Sequence, residues 1–394
     1  MPEADAVVAG EFDVALPALV ERWAERGEGP CPGIIERRDG RIVDHGDRPL
    51  LVDLDELPDF DWAAFPLQLY SEPGVLRWST ARGCVRRCVF CEQTIWEGAR
   101  RASSAERLAG EIERQLERLP DLMGLYFDDI VINAEPGRLE RFCVLLADIR
   151  RRRLAAQFAR WPAADLAAGR RPEFSWTCQG IVDERRLKPS LLRAMADSGC
   201  VQISYGVESG SARVVESMRK GFTIPEAERV VRSTAEAGIA VNIHYLPGFP
   251  TETEDDFEES IRFLERNRRW LTSVDAGSGC YIAPFTPLGL EPGRYGVEEP
   301  VHPSYWRTVD GRNTFPVRWD RRDRFFRSAK RLGLRLPSGW RFDSPDKWIF
   351  HRDYYRHAGN EQAARRCERR LEKFSSWKPM GRLEIADLSL ALAE

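Results

Sequence analysis

From about residue 72 to residue 295 the chain alternates short β-rich runs with amphipathic helical stretches, and this alternation restricts the fold more than any other feature of the sequence. Strands joined through helical crossovers lie parallel, with the helices covering the sheet. Val75 to Thr80 reads as the first strand, and Ser103 with Glu106 as a capping box ahead of Leu108, Ile112 and Leu116, whose helical spacing runs out at Pro120. Further strands are expected at Met123–Asp128, Phe174–Cys178, Val201–Val207, Ile239–Leu246 and around Ser278–Ala283. Helices are expected at Leu139–Arg150, at Lys188–Ser198 with Gly199 as its C-terminal stop, and from Thr253. Such a run of units is too short to close the usual eight-fold barrel. The expected fold is therefore α/β, a partial (β/α)6 barrel over 72–295 with an N-terminal extension (1–71) and a C-terminal extension (296–394) that caps the open mouth. Ligands bind such sheets at the C-terminal ends of the strands.

Composition narrows the partners. The 59 basic and 62 acidic residues leave a formal charge of −3, so no strong field points to nucleic acid or an anionic membrane. Residues 1–25 lack a cationic start followed by an apolar run, and no stretch reaches the roughly 18 apolar residues of a membrane span. A cytoplasmic protein acting on a small molecule is expected. Nine cysteines, an odd number, argue against a disulfide framework in a reducing compartment and leave thiols free for metal.

Three of those thiols crowd onto one loop after the first strand, as Cys84-Val-Arg-Arg-Cys88-Val-Phe-Cys91. Iron–sulfur clusters normally take four cysteines, so three alone suggest a cluster with one iron open to another ligand. Zinc is the alternative, but it prefers four ligands, and no second CxxC or histidine pair is near. Cys178 and Cys280 fall in the third and sixth expected strands, where either could face the barrel interior as a hydrogen-atom donor. Buried cysteine is also an ordinary small hydrophobe.

The CxxxCxxC spacing, with Phe90 just before its third cysteine and Thr80-Ala-Arg-Gly83 leading in, resembles the radical S-adenosylmethionine (SAM) superfamily. The resemblance implies a [4Fe–4S] cluster on Cys84, Cys88 and Cys91 whose open iron binds SAM. It also implies a 5′-deoxyadenosyl radical that abstracts hydrogen from substrate, and an external electron donor such as a flavodoxin or ferredoxin. Asp128 and Asp129 end the second strand, where the family places polar groups near the amino end of SAM. Gly206-Val-Glu208-Ser209-Gly210-Ser211 ends the fourth, with Glu208 and Ser209 suited to ribose or the methionine end, although serine there also caps helices. His244-Tyr-Leu-Pro-Gly248-Phe-Pro250-Thr-Glu252 ends the fifth and resembles the family's adenine-contacting turn. His244 is a candidate proton donor as well as a cofactor contact.

The N-terminal stretch Ala6-Val-Val-Ala-Gly10-Glu11-Phe12, with Asp53-Leu-Asp55-Glu-Leu-Pro58, resembles the end of a cobalamin-binding domain and its connector. No GxGxxG and no DxHxxG are present, so cobalamin is expected to be absent and the radical to act directly. A cobalamin-dependent methyltransferase, with the cofactor held by a reduced domain or a partner, is the alternative. An electron-transfer iron–sulfur protein is another, but it leaves the motifs at 206–211 and 247–252 unexplained. Trp306, Asn313, Thr314, Arg312 and Arg318 follow the core, and the two arginines are candidate donors to a substrate carboxylate or phosphate.

Overall fold

The computed structural model describes residues 4–374 apart from 71, 73, 94–97, 160–161, 163–173 and 278. An antiparallel sheet of β1 (Ala6–Val8), β2 (Ile34–Arg38) and β3 (Arg41–Asp44) with helix α1 (Phe12–Ala24) precedes the core. The core sheet is wholly parallel and runs β4 (Val75–Trp78), β7 (Gly124–Phe127), β8 (Ser175–Gly180), β9 (Cys200–Glu208), β10 (Ala240–Tyr245) and β11 (Ser273–Ala276) in sequence order. A small ribbon, β5 (Ala81–Arg82) with β6 (Arg101–Ala102), brackets the cysteine loop.

Between the core strands lie α2 (Ala105–Arg118), α3 (Pro136–Phe158), α4 (Pro189–Asp197), α5 (Ala212–Ser217), α6 (Ile224–Glu236) and α7 (Glu254–Asn267). After them come α8 (Pro287–Leu290), α9 (Phe315–Arg331), α10 (Pro345–His357) and α11 (Glu361–Leu371). Side chains alternate along the strands apart from two bulges in β9, so one sheet face meets the helices and the other does not. Leu76, Phe127, Trp176, Ile203, Ile243 and Val274 point to the helices and form the main core. The opposite face is polar. There Asn242 donates to Ser204 Oγ (3.2 Å) and accepts from Ser273 Oγ (2.9 Å), while Gln179 donates to the Tyr126 hydroxyl (3.3 Å). A parallel sheet packed on both faces would be apolar on both, so this inner face lines an open cleft.

Several expectations are corrected. The sixth strand is Ser273–Ala276, ahead of the stretch expected; its Ser273 and Asp275 face the cleft, so it lacks the apolar run that betrays a buried strand. Ile282 and Ala283 are buried in non-strand chain, and Ser278 lies outside the described residues. Helix α2 is capped by Ser104, which accepts from Arg107 N at 3.1 Å, rather than by Ser103. Thr253 and Asp256 do form a full capping box on α7.

The second half of helix α9 joins the outer layer. Phe325, Phe326 and Ala329 enter the main core, and Phe325 stacks on Tyr245 at 4.4 Å. The chain then returns beside β11, where Arg335 pairs with Ser273 in parallel, a rudiment of a seventh strand.

Candidate functional site

The cysteine loop is held from several sides. Gly83 enters it at φ +78°, and a Cβ there would lie 2.9 Å from the Ala99 carbonyl oxygen. Val89, fully buried, donates its N–H to Met218 O (3.1 Å) and accepts from Leu288 N (2.9 Å), so α5 and α8 grip the loop between Cys88 and Cys91. Its side chain joins a second core with Val214, Met218, Phe249 and Leu288. Arg86 donates to Gly221 O (2.8 Å) and Val182 O (3.0 Å), tying the loop to the segments that follow β8 and α5.

Cys84, Cys88 and Cys91 are all unpaired and partly exposed, and Arg86 N donates to Cys84 Sγ at 3.3 Å. Among the described residues no three histidine, cysteine or acidic side chains converge on one ion. Zinc would need its sulfurs about 2.3 Å from a single point. Three thiols on one loop can also meet three different irons of a multi-iron cluster, leaving one corner without a protein ligand. Burial pushes the Cys88 and Cys91 thiols up; the Lys220 ammonium pulls both partly back.

Lys220 was not legible as a site residue. It lies 5.7 Å from the Phe90 ring centroid, donates to Glu208 Oε1 at 3.3 Å, and is only 12% exposed. Glu208 itself adopts φ +66°, at a bulge where β10 shifts register between His244 and Tyr245. This turn folds its carboxylate back over Gly206, where a Cβ would lie 2.6 Å from Glu208 Oε1. Ser209 is buried and its hydroxyl accepts from Ser211 N (3.1 Å) beside Ser260 Oγ (3.4 Å). Gly210 is required, since a Cβ would lie 2.6 Å from backbone atoms of α7.

The acid pair after β7 divides. Asp128 pairs with Arg77 (2.8 Å) on the exposed side. Asp129 is buried and accepts from Thr80 N through both oxygens (3.0 and 3.2 Å), fixing the lead-in to the cysteine loop. Burial raises its carboxyl from 3.8 to about 6, against the pull of Thr80, Arg138 and Arg100. A folded-state value above the unfolded one means the stabilisation from holding that proton is complete below 3.8 and is lost as pH rises through about 6. Asp129→Asn should therefore gain Tm relative to the wild type between pH 4 and 6.5 in paired thermal melts; a constant difference across that range would contradict the assignment.

His244 sits on the cleft face, in register with Gly206 on one side and Asp275 on the other. The following turn, Pro247–Glu252, is built on Glu252, which accepts from Gly248 N (2.8 Å), the Tyr245 hydroxyl (3.0 Å) and Arg321 (3.0 Å). Phe249 meets Phe90 edge-on at 6.4 Å, so this turn and the cysteine loop share one wall; Pro250 is buried at its end.

The two other cysteine candidates do not reach the cleft. Cys178 is in register with Phe127 and Ile203 on the helix side, where burial and neighbouring Cys200 push its thiol well up. Cys280 is not in a strand; it lies in the second core under the cysteine loop, its thiol pushed up to about 12 by burial. Arg318 is not a free substrate donor, being fully buried against the Trp306 face at 3.8 Å, and Arg312 is exposed beside Asp310.

Residues 78–264 match the family model described as the Radical SAM superfamily. Among curated proteins, an uncharacterized methyltransferase of Pyrococcus horikoshii is 27% identical over 273 residues, covering 67% of this chain and 53% of that protein. The anaerobic magnesium-protoporphyrin IX monomethyl ester cyclase of Cereibacter sphaeroides is 26% identical over 301 residues, covering 74% and 45%. The chain thus spans about half the length of these relatives. The fold is similar to that of the radical SAM methyltransferase TsrM from Kitasatospora setae solved with cobalamin and a [4Fe–4S] cluster (TM-score 0.59, 15% identity, 93% of this chain and 78% of that one). It is also similar to the cobalamin-dependent radical enzyme OxsB (TM-score 0.54, 18% identity, 74% and 40%).

Proposed function

Because the chain belongs to the radical SAM superfamily, we propose that Cys84, Cys88 and Cys91 hold a [4Fe–4S] cluster and that the enzyme abstracts hydrogen from a small molecule bound in the polar cleft. The observation that carries this is the wall shared by the cysteine loop, the Lys220–Glu208 pair and the Gly248 turn. When bound, such a cluster supplies the electron that splits SAM into methionine and a 5′-deoxyadenosyl radical. The chain's own residues orient and shield. Glu208, bent over Gly206, offers carboxylate oxygens to a ribose, and Lys220 beside it offers an ammonium to the methionine carboxylate. Phe90, Gly248 and Pro250 form the apolar and backbone surface for an adenine. Ser209 and Asp129 act one layer back, by holding the loops on which these groups stand. His244 faces the cleft and is the side chain available to hold or pass a proton of the substrate.

A second reading is methyl transfer with cobalamin. One relative is named as a methyltransferase, and a groove of about 980 Å³ opens between α1 (Phe12, Leu16, Val20), the connector (Leu57, Trp62) and Trp78 of β4. Among the described residues no helix is long and apolar enough to cross a membrane.

Anaerobic reconstitution with iron and sulfide, then incubation with SAM and dithionite, separates the readings. Iron–sulfur absorbance with 5′-deoxyadenosine formed, and no stoichiometric uptake of hydroxocobalamin, is the expected result. Stoichiometric cobalamin uptake would favour methyl transfer; zinc without iron would remove both readings.

A further inference from the structure

The turn Pro247–Glu252 does not support itself; it is held from below by residues well outside 78–264, the span that matches the family model. Asn313, buried, donates its amide to both Gly248 O (3.2 Å) and Phe249 O (3.1 Å). Arg321, one turn along α9 from Arg318, donates to Glu252 O (3.2 Å) and Glu252 Oε2 (3.0 Å), both partners being buried. Arg318 runs directly beneath Gly248, so close that any Cβ on that glycine would collide with its side chain. Gly279, at φ +132°, makes room for the same guanidinium.

Arg318 is the unusual member. It is fully buried, and among the described residues no carboxylate lies within ion-pair distance of it. Its donors go to Ser304 O (2.9 Å), Trp306 O (3.1 Å) and Asn313 Oδ1 (3.4 Å), and its face lies on the Trp306 indole. Buried charges are normally paired. Here carbonyl dipoles and a π-face take that place, which fixes the planar fork, and so the chain at 304–306 and 313, against the underside of the turn.

We infer that Asn313, Arg318 and Arg321 are positioning residues for SAM, setting the height and tilt of the turn through Gly248, Phe249 and Glu252, so that SAM affinity depends on the C-terminal segment. This inference rests on the reading that the turn contacts SAM. It implies that a chain cut after β11 would keep the three cysteines but lack a formed adenine wall.

The test uses the full chain with its cluster reconstituted and SAM itself as the probe. Asn313→Ala and Arg318→Met should raise the SAM Kd in equilibrium dialysis, and the KM for SAM in 5′-deoxyadenosine formation, by about tenfold, the scale of one net hydrogen bond. Iron content should be unchanged and kcat within about twofold. Arg321→Lys should keep most of the affinity that Arg321→Gln loses, because it preserves the ion pair with Glu252. Arg294→Ala, on the exposed surface, is the control. Unchanged SAM affinity in Asn313→Ala, or a fall in kcat without a rise in KM, would overturn the inference, and Asn313→Ala decides the matter even where Arg318→Met fails to fold. A wild-type protein that carries iron but binds no SAM would instead remove the functional reading beneath it.

Discussion

Cys88→Ser is expected to yield protein without iron–sulfur absorbance, with 5′-deoxyadenosine formation reduced by more than the roughly 100-fold that loss of an outer-shell group costs a metal site. A thiolate is the soft ligand that iron in a cluster requires, and a serine hydroxyl remains protonated at neutral pH. Cys88 is also the position where substitution is least able to hide. Its neighbour Val89 is gripped by α5 and α8 through the backbone, so the side chain at 88 keeps its direction whatever atom it carries. The informative comparison is Cys178→Ser. That thiol faces the helices beside Cys200, so the variant should lose stability, by about 1–3 kcal/mol for a buried hydroxyl lacking a partner, yet keep its iron and its SAM cleavage. Chemical denaturation and the cleavage assay read the two effects separately. If Cys178→Ser kept the cluster and the fold but lost product formation, the thiol would have a role that its present direction does not provide.

Lys220→Met should cost about 3 kcal/mol, at the lower end of what loss of one partner of a buried ion pair costs. Lys220 and Glu208 are 12% and 16% exposed, so removing the ammonium leaves a carboxylate with little water to take its place. The effect should be partly reversed by adding Glu208→Gln, which removes the stranded charge without restoring a cation. Activity should not follow stability. The double variant should fold better than Lys220→Met and still turn over SAM poorly, because both groups proposed to face the ribose and carboxylate are gone. Urea denaturation alongside the 5′-deoxyadenosine assay checks this, and recovery of activity together with stability would make the pair a structural device only.

The architecture was legible because parallel β/α units write themselves in periodicity: apolar faces at helical spacing, β-branched runs, and glycines at the turns. Five of the six strand positions and the Thr253 cap follow from those patterns. The sixth strand did not, because Ser273 and Asp275 face a polar cleft and break the alternation expected of a covered sheet. The cysteine loop was legible for a different reason: its chemistry is local, with three sulfurs inside one short segment.

Positions that depend on partners far along the chain were not legible. Nothing around Lys220 distinguishes it from a surface lysine until Glu208 takes a left-handed turn and aims its carboxylate at it. Arg318 looked like a substrate donor and Asn313 had no assigned role, because the sequence cannot say that α9 runs beneath the turn after β10. Cys178 and Cys280 shared one expectation and met two different fates, since strand parity turns the first to the helices and a loop buries the second. The sequence by itself determined the repeating unit and the three thiols of one loop, both carried within a few residues. Tertiary structure alone decided which side of the sheet each polar group faces and which remote cations support the loops, because those follow from register and helix packing between segments tens of residues apart.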